Sequence, residues 1–159
     1  EVEVVPGVSA YQATAAALNA ELTIPGVIQT IILSRAEGRT NLPKKEKLEN
    51  LAALGCSLCL YLSARHVEEV EKTLLKYYPP NTPVAIGYRV SWKNEQLIKT
   101  VPLSKMARTT KENKLIRTTL YLISPALEKH DQRSKLYDSV HSHLFRQNKK
   151  SSSANSIKN

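Results

Sequence analysis

Apolar residues come in short runs broken by polar turns, and the runs alternate between strand-like and helix-like spacing. Residues 2–5 read as a short strand that Pro6 and Gly7 stop. Ser9 suits the N-cap of a helix running to Ala20, rich in alanine, the strongest helix former. The apolar, β-branched stretch 28–33 predicts a buried strand. A helix follows over 44–54, with Leu48, Leu51 and Ala52 on one face, Pro43 at its first turn and Gly55 at its end. Residues 58–62 form a second buried strand. Ser63 caps the next helix, whose apolar stripe is Val67, Val70, Leu74 and Tyr77, and Pro79 and Pro80 end it.

Strands over 84–90 and 96–101 make a hairpin across the polar loop 91–95, a short helix covers 104–111, and a last strand covers 115–123 before Ser124 and Pro125. Strands alternating with helices imply an α/β fold: a mixed, mostly parallel sheet with helices on both faces. Beyond that point the chain turns polar. Residues 149–159 lack the apolar surface to build a core and are expected to be disordered.

Composition narrows the partners. The 159 residues carry 23 Lys and Arg against 14 Asp and Glu, a net charge of +9. Residues 129–159 alone hold seven of the basic residues and two of the acidic ones, so the excess is concentrated there. Such charge favours an anion, either a nucleic acid or a polycarboxylate ligand. No apolar run is long enough for a membrane span and no leader is visible, so the default is a soluble, cytoplasmic protein. The chain opens in an apolar run without Met, which reads as a cut through a larger protein.

Most small motifs have bland readings. Cys56 and Cys59 form a C-x-x-C, but strand spacing points them to opposite faces, so they read as small core residues. His141 and His143 have no cysteine partner nearby and read as a solvated tail, so no metal site is expected. Only five glycines occur, and no Walker loop, G-x-G-x-x-G or G-x-S-x-G is present. The loop from Ser34 to Thr40 is more informative. It places Arg35, Glu37 and Arg39 just after a buried strand, where α/β sheets bind ligands. Arginine forks bind carboxylates bidentately, although a solvated loop with internal ion pairs gives the same pattern.

Several stretches together resemble one family. Val5-Pro6-Gly7-Val8-Ser9-Ala10 resembles the V-P-G-x-[ST]-[SA] motif of the tetrapyrrole methylases. Leu22-Thr23-Ile24-Pro25-Gly26-Val27, the 34–40 loop, Leu60-Tyr61-Leu62-Ser63 and Tyr88-Arg89-Val90-Ser91-Trp92 resemble the (cobalt-)precorrin-4 branch. The stretch from Ser134 to Arg146 is similar to that branch's L-Y-[DS]-x-x-[FH]-[ST]-H-x-[FY]-R ending.

The resemblance implies an S-adenosylmethionine-dependent methyltransferase acting on a tetrapyrrole of cobalamin biosynthesis. Residues 1–20 would be an interdomain junction, 21–128 the carboxy-terminal α/β domain, and 129–148 a basic tail segment. It implies a missing amino-terminal methylase domain carrying a Gly-rich loop, a homodimer in the complete enzyme, and a fragment inactive alone. Cofactor contacts carry over onto Ser9, Ala10, Leu62, Val90 and Thr119. Leu62 stands where relatives often have Met, and Val90 where they often have Ala. Arg35, Arg39 and Arg89 are implied to meet the macrocycle's carboxylates, with Glu37 orienting them or taking part in proton removal. No catalytic residue is singled out. A ribosomal RNA methylase of the same fold and a non-catalytic interaction module are the alternatives. The branch-specific loop and ending disfavour nucleic acid.

Overall fold

The computed structural model describes residues 1–128. The segments 129–148 and 149–159, with His141 and His143, lie outside the described residues. Five strands form one sheet in the order β1-β2-β5-β3-β4. They are β1 (Ile31–Arg35), β2 (Ser57–Tyr61), β3 (Pro83–Tyr88), β4 (Leu97–Pro102) and β5 (Thr119–Ile123). The helices are α1 (Ala10–Ala17), α2 (Leu48–Ala52), α3 (Val67–Leu74) and α4 (Met106–Glu112).

The mixed α/β architecture is as expected, but the sheet is not mostly parallel. Only β1 and β2 pair in parallel, and the other three pairings are antiparallel. The β3–β4 hairpin explains the difference. It reverses the chain, so α4 carries it back and β5 starts at the opposite end from the other helix-preceded strands. β5 then enters between β2 and β3 and runs against both.

Alternation along the strands divides the core. Leu58, Leu60, Val84, Ile86, Tyr121 and Ile123 face one way, packed with Ala52, Val67, Val70, Leu74 and Met106. Cys59, Ala85, Leu120 and Leu122 face the other way, against Ala15 of α1. Helices therefore cover both faces. Each fully buried Leu contributes about 1.5–3 kcal/mol by leaving water, which outweighs weak local propensities in elements this short.

Other differences from the expected elements have local causes. Residues 2–5 form no strand: Val2, Val4 and Val5 are 90%, 88% and 77% exposed, with no neighbouring strand among the described residues. α1 stops at Ala17, and Asn19 turns left-handed at φ 50°. β1 starts at Ile31 because Ile28 is bridged to Ile24 in a tight loop. The expected 44–54 helix divides into a 3-10 turn, Lys44–Glu46, and α2. β5 starts at Thr119 because Lys114 and Thr118 are left-handed. On α3 the stripe continues to buried Tyr78, not Tyr77, and the Tyr78 hydroxyl donates to the Cys56 carbonyl at 2.8 Å.

Beneath the sheet edge the Ser124 and Ser57 hydroxyls lie 2.6 Å apart, fully buried, and Ser57 donates onward to the Leu22 carbonyl at 2.7 Å. Ser57→Ala would leave both the Ser124 hydroxyl and the Leu22 carbonyl short of a partner. A loss of about 1–2 kcal/mol is expected, read as a lower urea midpoint at constant slope. An unchanged midpoint would show that the pair contributes nothing.

Candidate functional site

The carboxyl ends of β1, β2 and β3 and the amino end of β5 meet at one edge of the sheet, as the Arg35–Tyr61 and Tyr88–Thr119 registers require. That is the edge where α/β sheets hold ligands. Leu62 directly follows β2, Arg89 and Val90 directly follow β3, and Thr119 opens β5. Ser9 and Ala10 arrive at the same edge because α1 is tied there. The Tyr61 hydroxyl lies 2.7 Å from the Ser9 hydroxyl and accepts from the Tyr11 N–H at 3.3 Å.

A close approach seats α1. A Cβ added to Gly87 would lie 2.5 Å from Thr14 Oγ1 and 2.8 Å from Val90 Cγ2. Glycine thus lets the helix settle on β3 and lets Val90 fold back over it. Neither Tyr61 nor Gly87 is among the residues nominated from sequence. A glycine inside a strand is a signal for close backbone approach, and it was available at Gly87. Tyr61 lies in the stretch 60–63 already singled out, but nothing local marks its partner, 52 residues away.

The edge also concentrates unusual backbone. Leu62, Arg89, Ser91 and Thr118 have φ of 53°, 46°, 71° and 52°. Non-glycine residues rarely adopt this region, and such residues cluster at functional sites. The Arg89 N–H donates to the Thr118 carbonyl at 3.0 Å, joining two of these turns. Leu62 is also 82% exposed, an apolar side chain held out in water at this edge.

The nominated charged residues have different surroundings. The Arg35 guanidinium donates to the Ala36 carbonyl at 3.1 Å and to the Thr40 hydroxyl at 2.9 Å, closing its own loop. Glu37 accepts from the Leu42 N–H at 3.3 Å and lies 4.0 Å from Lys47 Nζ. Arg39 is exposed and has no ion pair among the described residues. Arg89 pairs with Glu95, and its guanidinium carbon lies 5.2 Å from the ring centres of both Tyr88 and Trp92. Its Nε is buried, with no hydrogen-bond partner among the described residues. Ser63 makes no side-chain cap bond, contrary to expectation. Its hydroxyl accepts from the Ala36 N–H and donates to the Tyr61 carbonyl, both at 2.8 Å, stapling the 34–40 loop to β2.

The cysteines pack in different clusters, Cys59 within β2 and Cys56 just before it. Cys59 is wholly buried and burial pushes its thiol up to about 12, while Cys56 is half-buried. Cys56 should therefore react with an alkylating reagent in the native protein and Cys59 only after denaturation. Native labelling of Cys59 would contradict its packing. No group of three potential metal ligands occurs among the described residues, and no helix there is long and apolar enough to cross a membrane. A hollow of about 280 Å³ opens on the α3–α4 side, lined by Arg65, His66, Lys114 and Ile116 among others; none of the nominated cofactor contacts lines it.

Residues 1–107 match the family model described as tetrapyrrole (corrin/porphyrin) methylases. A cobalt-precorrin-4 C(11)-methyltransferase of Priestia megaterium is 40% identical over 156 residues, covering 95% of this chain and 60% of that protein. The protein of the same name from Methanocaldococcus jannaschii is 38% identical, covering 94% of this chain and 58% of that protein. The chain thus spans less than two thirds of the relatives it matches. Among solved structures, a cobalt precorrin-4 methyltransferase described as a cobalamin biosynthetic enzyme superposes with a TM-score of 0.76. It is 37% identical and matches 80% of this chain and 53% of its own. A uroporphyrin-III C-methyl transferase from Thermus thermophilus, complexed with S-adenyl homocysteine, shares the fold at a TM-score of 0.59 and 20% identity, over 79% of this chain and 53% of its own.

Proposed function

Because the chain belongs to the tetrapyrrole (corrin/porphyrin) methylases, we propose that it forms part of an S-adenosylmethionine-dependent methyltransferase acting on a precorrin-4 or cobalt-precorrin-4 macrocycle. The observation that carries this reading is the sheet edge where α1, Leu62, Val90 and Thr119 converge on left-handed turns. Residues 1–20 are read as the junction to an amino-terminal domain and 21–128 as the carboxy-terminal domain. The remaining portion of the relatives supplies the opposite wall, two copies associate in the complete enzyme, and its place of work is the cytoplasm.

The residues present fit the cofactor. The edge offers apolar surface from Leu62 and Val90 and backbone polar groups from the turns, chemistry suited to a nucleoside with an amino-acid tail. The bound cofactor supplies a methyl group already activated on a sulfonium. The task left to this chain is alignment, which by itself lowers barriers greatly. Tyr61 and Ser9 fix the start of α1, Gly87 sets its depth, and the Ser63 staple fixes the loop bearing Arg39. Arg39 is read as a fork for the macrocycle's carboxylates.

The test joins this chain to the remaining portion of the Priestia megaterium relative. The chimera should bind S-adenosylhomocysteine and add one methyl to cobalt-precorrin-4 by mass, whereas the chain alone should yield no product. Turnover by the chain alone would overturn the half-site reading. A folded chimera that neither binds the cofactor product nor methylates would favour a non-catalytic module. Salt-steep binding of RNA instead would favour the ribosomal RNA reading.

Leu62→Asp offers a sharper check. Aspartate tolerates the left-handed region well, and the side chain is 82% exposed, so folding should be unaffected. The chimera should nevertheless lose about tenfold in S-adenosylhomocysteine affinity, or about 1.4 kcal/mol. Equal affinity by calorimetry would remove Leu62 from the cofactor wall.

A further inference from the structure

We propose that Arg89 is a positioning residue that clasps the turn between β3 and β4 and thereby holds Val90 on the cofactor edge, instead of meeting substrate carboxylates. The clasp stands on geometry alone, while its effect on the cofactor rests on the methyltransferase reading.

The turn needs a clasp. Arg89, Ser91 and Asn94 are all left-handed, at φ 46°, 71° and 64°. Each is a conformation that disfavours residues bearing a Cβ. The turn is fastened at its base by Arg89 N–H to the Thr118 carbonyl at 3.0 Å and Trp92 N–H to the Arg89 carbonyl at 2.9 Å. The Ser91 N–H donates to Gln96 Oε1 at 2.7 Å. The Arg89 side chain then reaches over the same turn. It pairs with Glu95 and lies 5.2 Å from the rings of both Tyr88 and Trp92, so one guanidinium engages three residues of the hairpin.

An ion pair this exposed, 35% and 47% for its two side chains, is weak by itself. The ion pair and the approach to two rings together give the side chain its defined place, and a lysine ammonium lacks the planar guanidinium that meets both rings. The contrast with Arg39, which has no ion pair among the described residues, separates the two arginines. Val90 is the next residue along, and its Cγ2 lies over Gly87 close enough to meet an added Cβ at 2.8 Å. Release of the Arg89 side chain leaves the turn to the bonds of its backbone and Gln96, and so loosens the placement of Val90.

Trp92 is the chain's only tryptophan, so its fluorescence reports on the clasp. In the 159-residue chain, Arg89→Ala, Arg89→Lys and Glu95→Gln should each raise acrylamide quenching of Trp92. The Arg89→Ala/Glu95→Gln double variant should raise it little further, because both changes open one clasp. Thermal melts confirm that each variant is folded, and Glu95→Gln keeps the test open if Arg89→Ala does not fold. In the chimera, the same single variants should raise KM for S-adenosylmethionine about five- to tenfold while leaving KM for cobalt-precorrin-4 within about twofold. Arg89→Lys should behave like Arg89→Ala; a carboxylate-binding arginine would be partly rescued by lysine. Unchanged Trp92 quenching in Glu95→Gln and folded Arg89 variants overturns the clasp. A KM for cobalt-precorrin-4 that rises alone, with partial rescue by lysine, returns Arg89 to the substrate. If the unmodified chimera binds no S-adenosylhomocysteine, the methyltransferase reading fails, and the quenching results still decide the clasp.

Discussion

Gly87→Ala should destabilise the protein by about 2–3 kcal/mol, the upper part of the roughly 1–3 kcal/mol cost of a methyl forced into a filled site. The added Cβ meets Thr14 Oγ1 at 2.5 Å, Thr14 Cγ2 at 3.3 Å and Val90 Cγ2 at 2.8 Å. Thr14 has no room to turn away cheaply. It is fully buried and its hydroxyl donates to the Ala10 carbonyl at 2.8 Å. The helix must lift instead, and the start of α1 moves with it. An opposing gain of about 0.4–1 kcal/mol comes from restricting the unfolded chain, so the overpacking outweighs it. Thr14→Ala in the same chain should recover about 1 kcal/mol by vacating the nearest atom. Urea unfolding of the two single variants and the double checks both numbers. A Gly87→Ala variant as stable as its parent would mean that α1 does not sit this close to β3. In the chimera the same variant should also weaken S-adenosylhomocysteine binding, because Ser9 and Ala10 ride on the displaced helix.

Arg39→Ala in the chimera should raise KM for cobalt-precorrin-4 ten- to a hundredfold, the equivalent of about 1.5–3 kcal/mol for one charge-assisted carboxylate contact. KM for S-adenosylmethionine should stay nearly constant, and so should the melting temperature, since Arg39 is exposed and has no ion pair among the described residues. Arg35→Ala should behave differently. Its guanidinium closes the loop onto Ala36 and Thr40, so its loss should loosen the loop and disturb substrate binding indirectly. Added salt should narrow the gap between Arg39→Ala and the parent by screening the exposed charge. An Arg39→Ala variant that loses the cofactor but keeps the tetrapyrrole would assign the loop to the other ligand.

The sequence by itself placed the five strands of the sheet and the four helices in their chain order, with one strand too many at residues 2–5, because apolar periods are local. Leu58, Leu60 and Cys59 already alternate between two faces, and Val67, Val70 and Leu74 already share one. The turn chemistry of residues 91–95 was enough for the hairpin, which forms as expected. The family resemblance carried by the motif from Val5 to Ala10 and by residues 60–63 and 88–92 nominated residues that reach one sheet edge.

What only the tertiary structure decided depends on neighbours distant in sequence. β5 enters between β2 and β3, and no local pattern states where a strand inserts, so the mostly parallel sheet became one parallel pairing among four. The apolar run at residues 2–5 has strand composition, but no strand among the described residues lies beside it to accept its hydrogen bonds. Tyr61 ties α1 through Ser9, 52 residues away, and Ser63 staples β2 to Ala36, 27 residues away. Arg35, Arg39 and Arg89 are the same residue type in similar loops. Their surroundings separate one that closes its own loop, one left open to solvent and one paired with Glu95 near two rings. Charge and spacing belong to the chain, but a side chain's partner is set by packing, which brings residues together only once the sheet has formed.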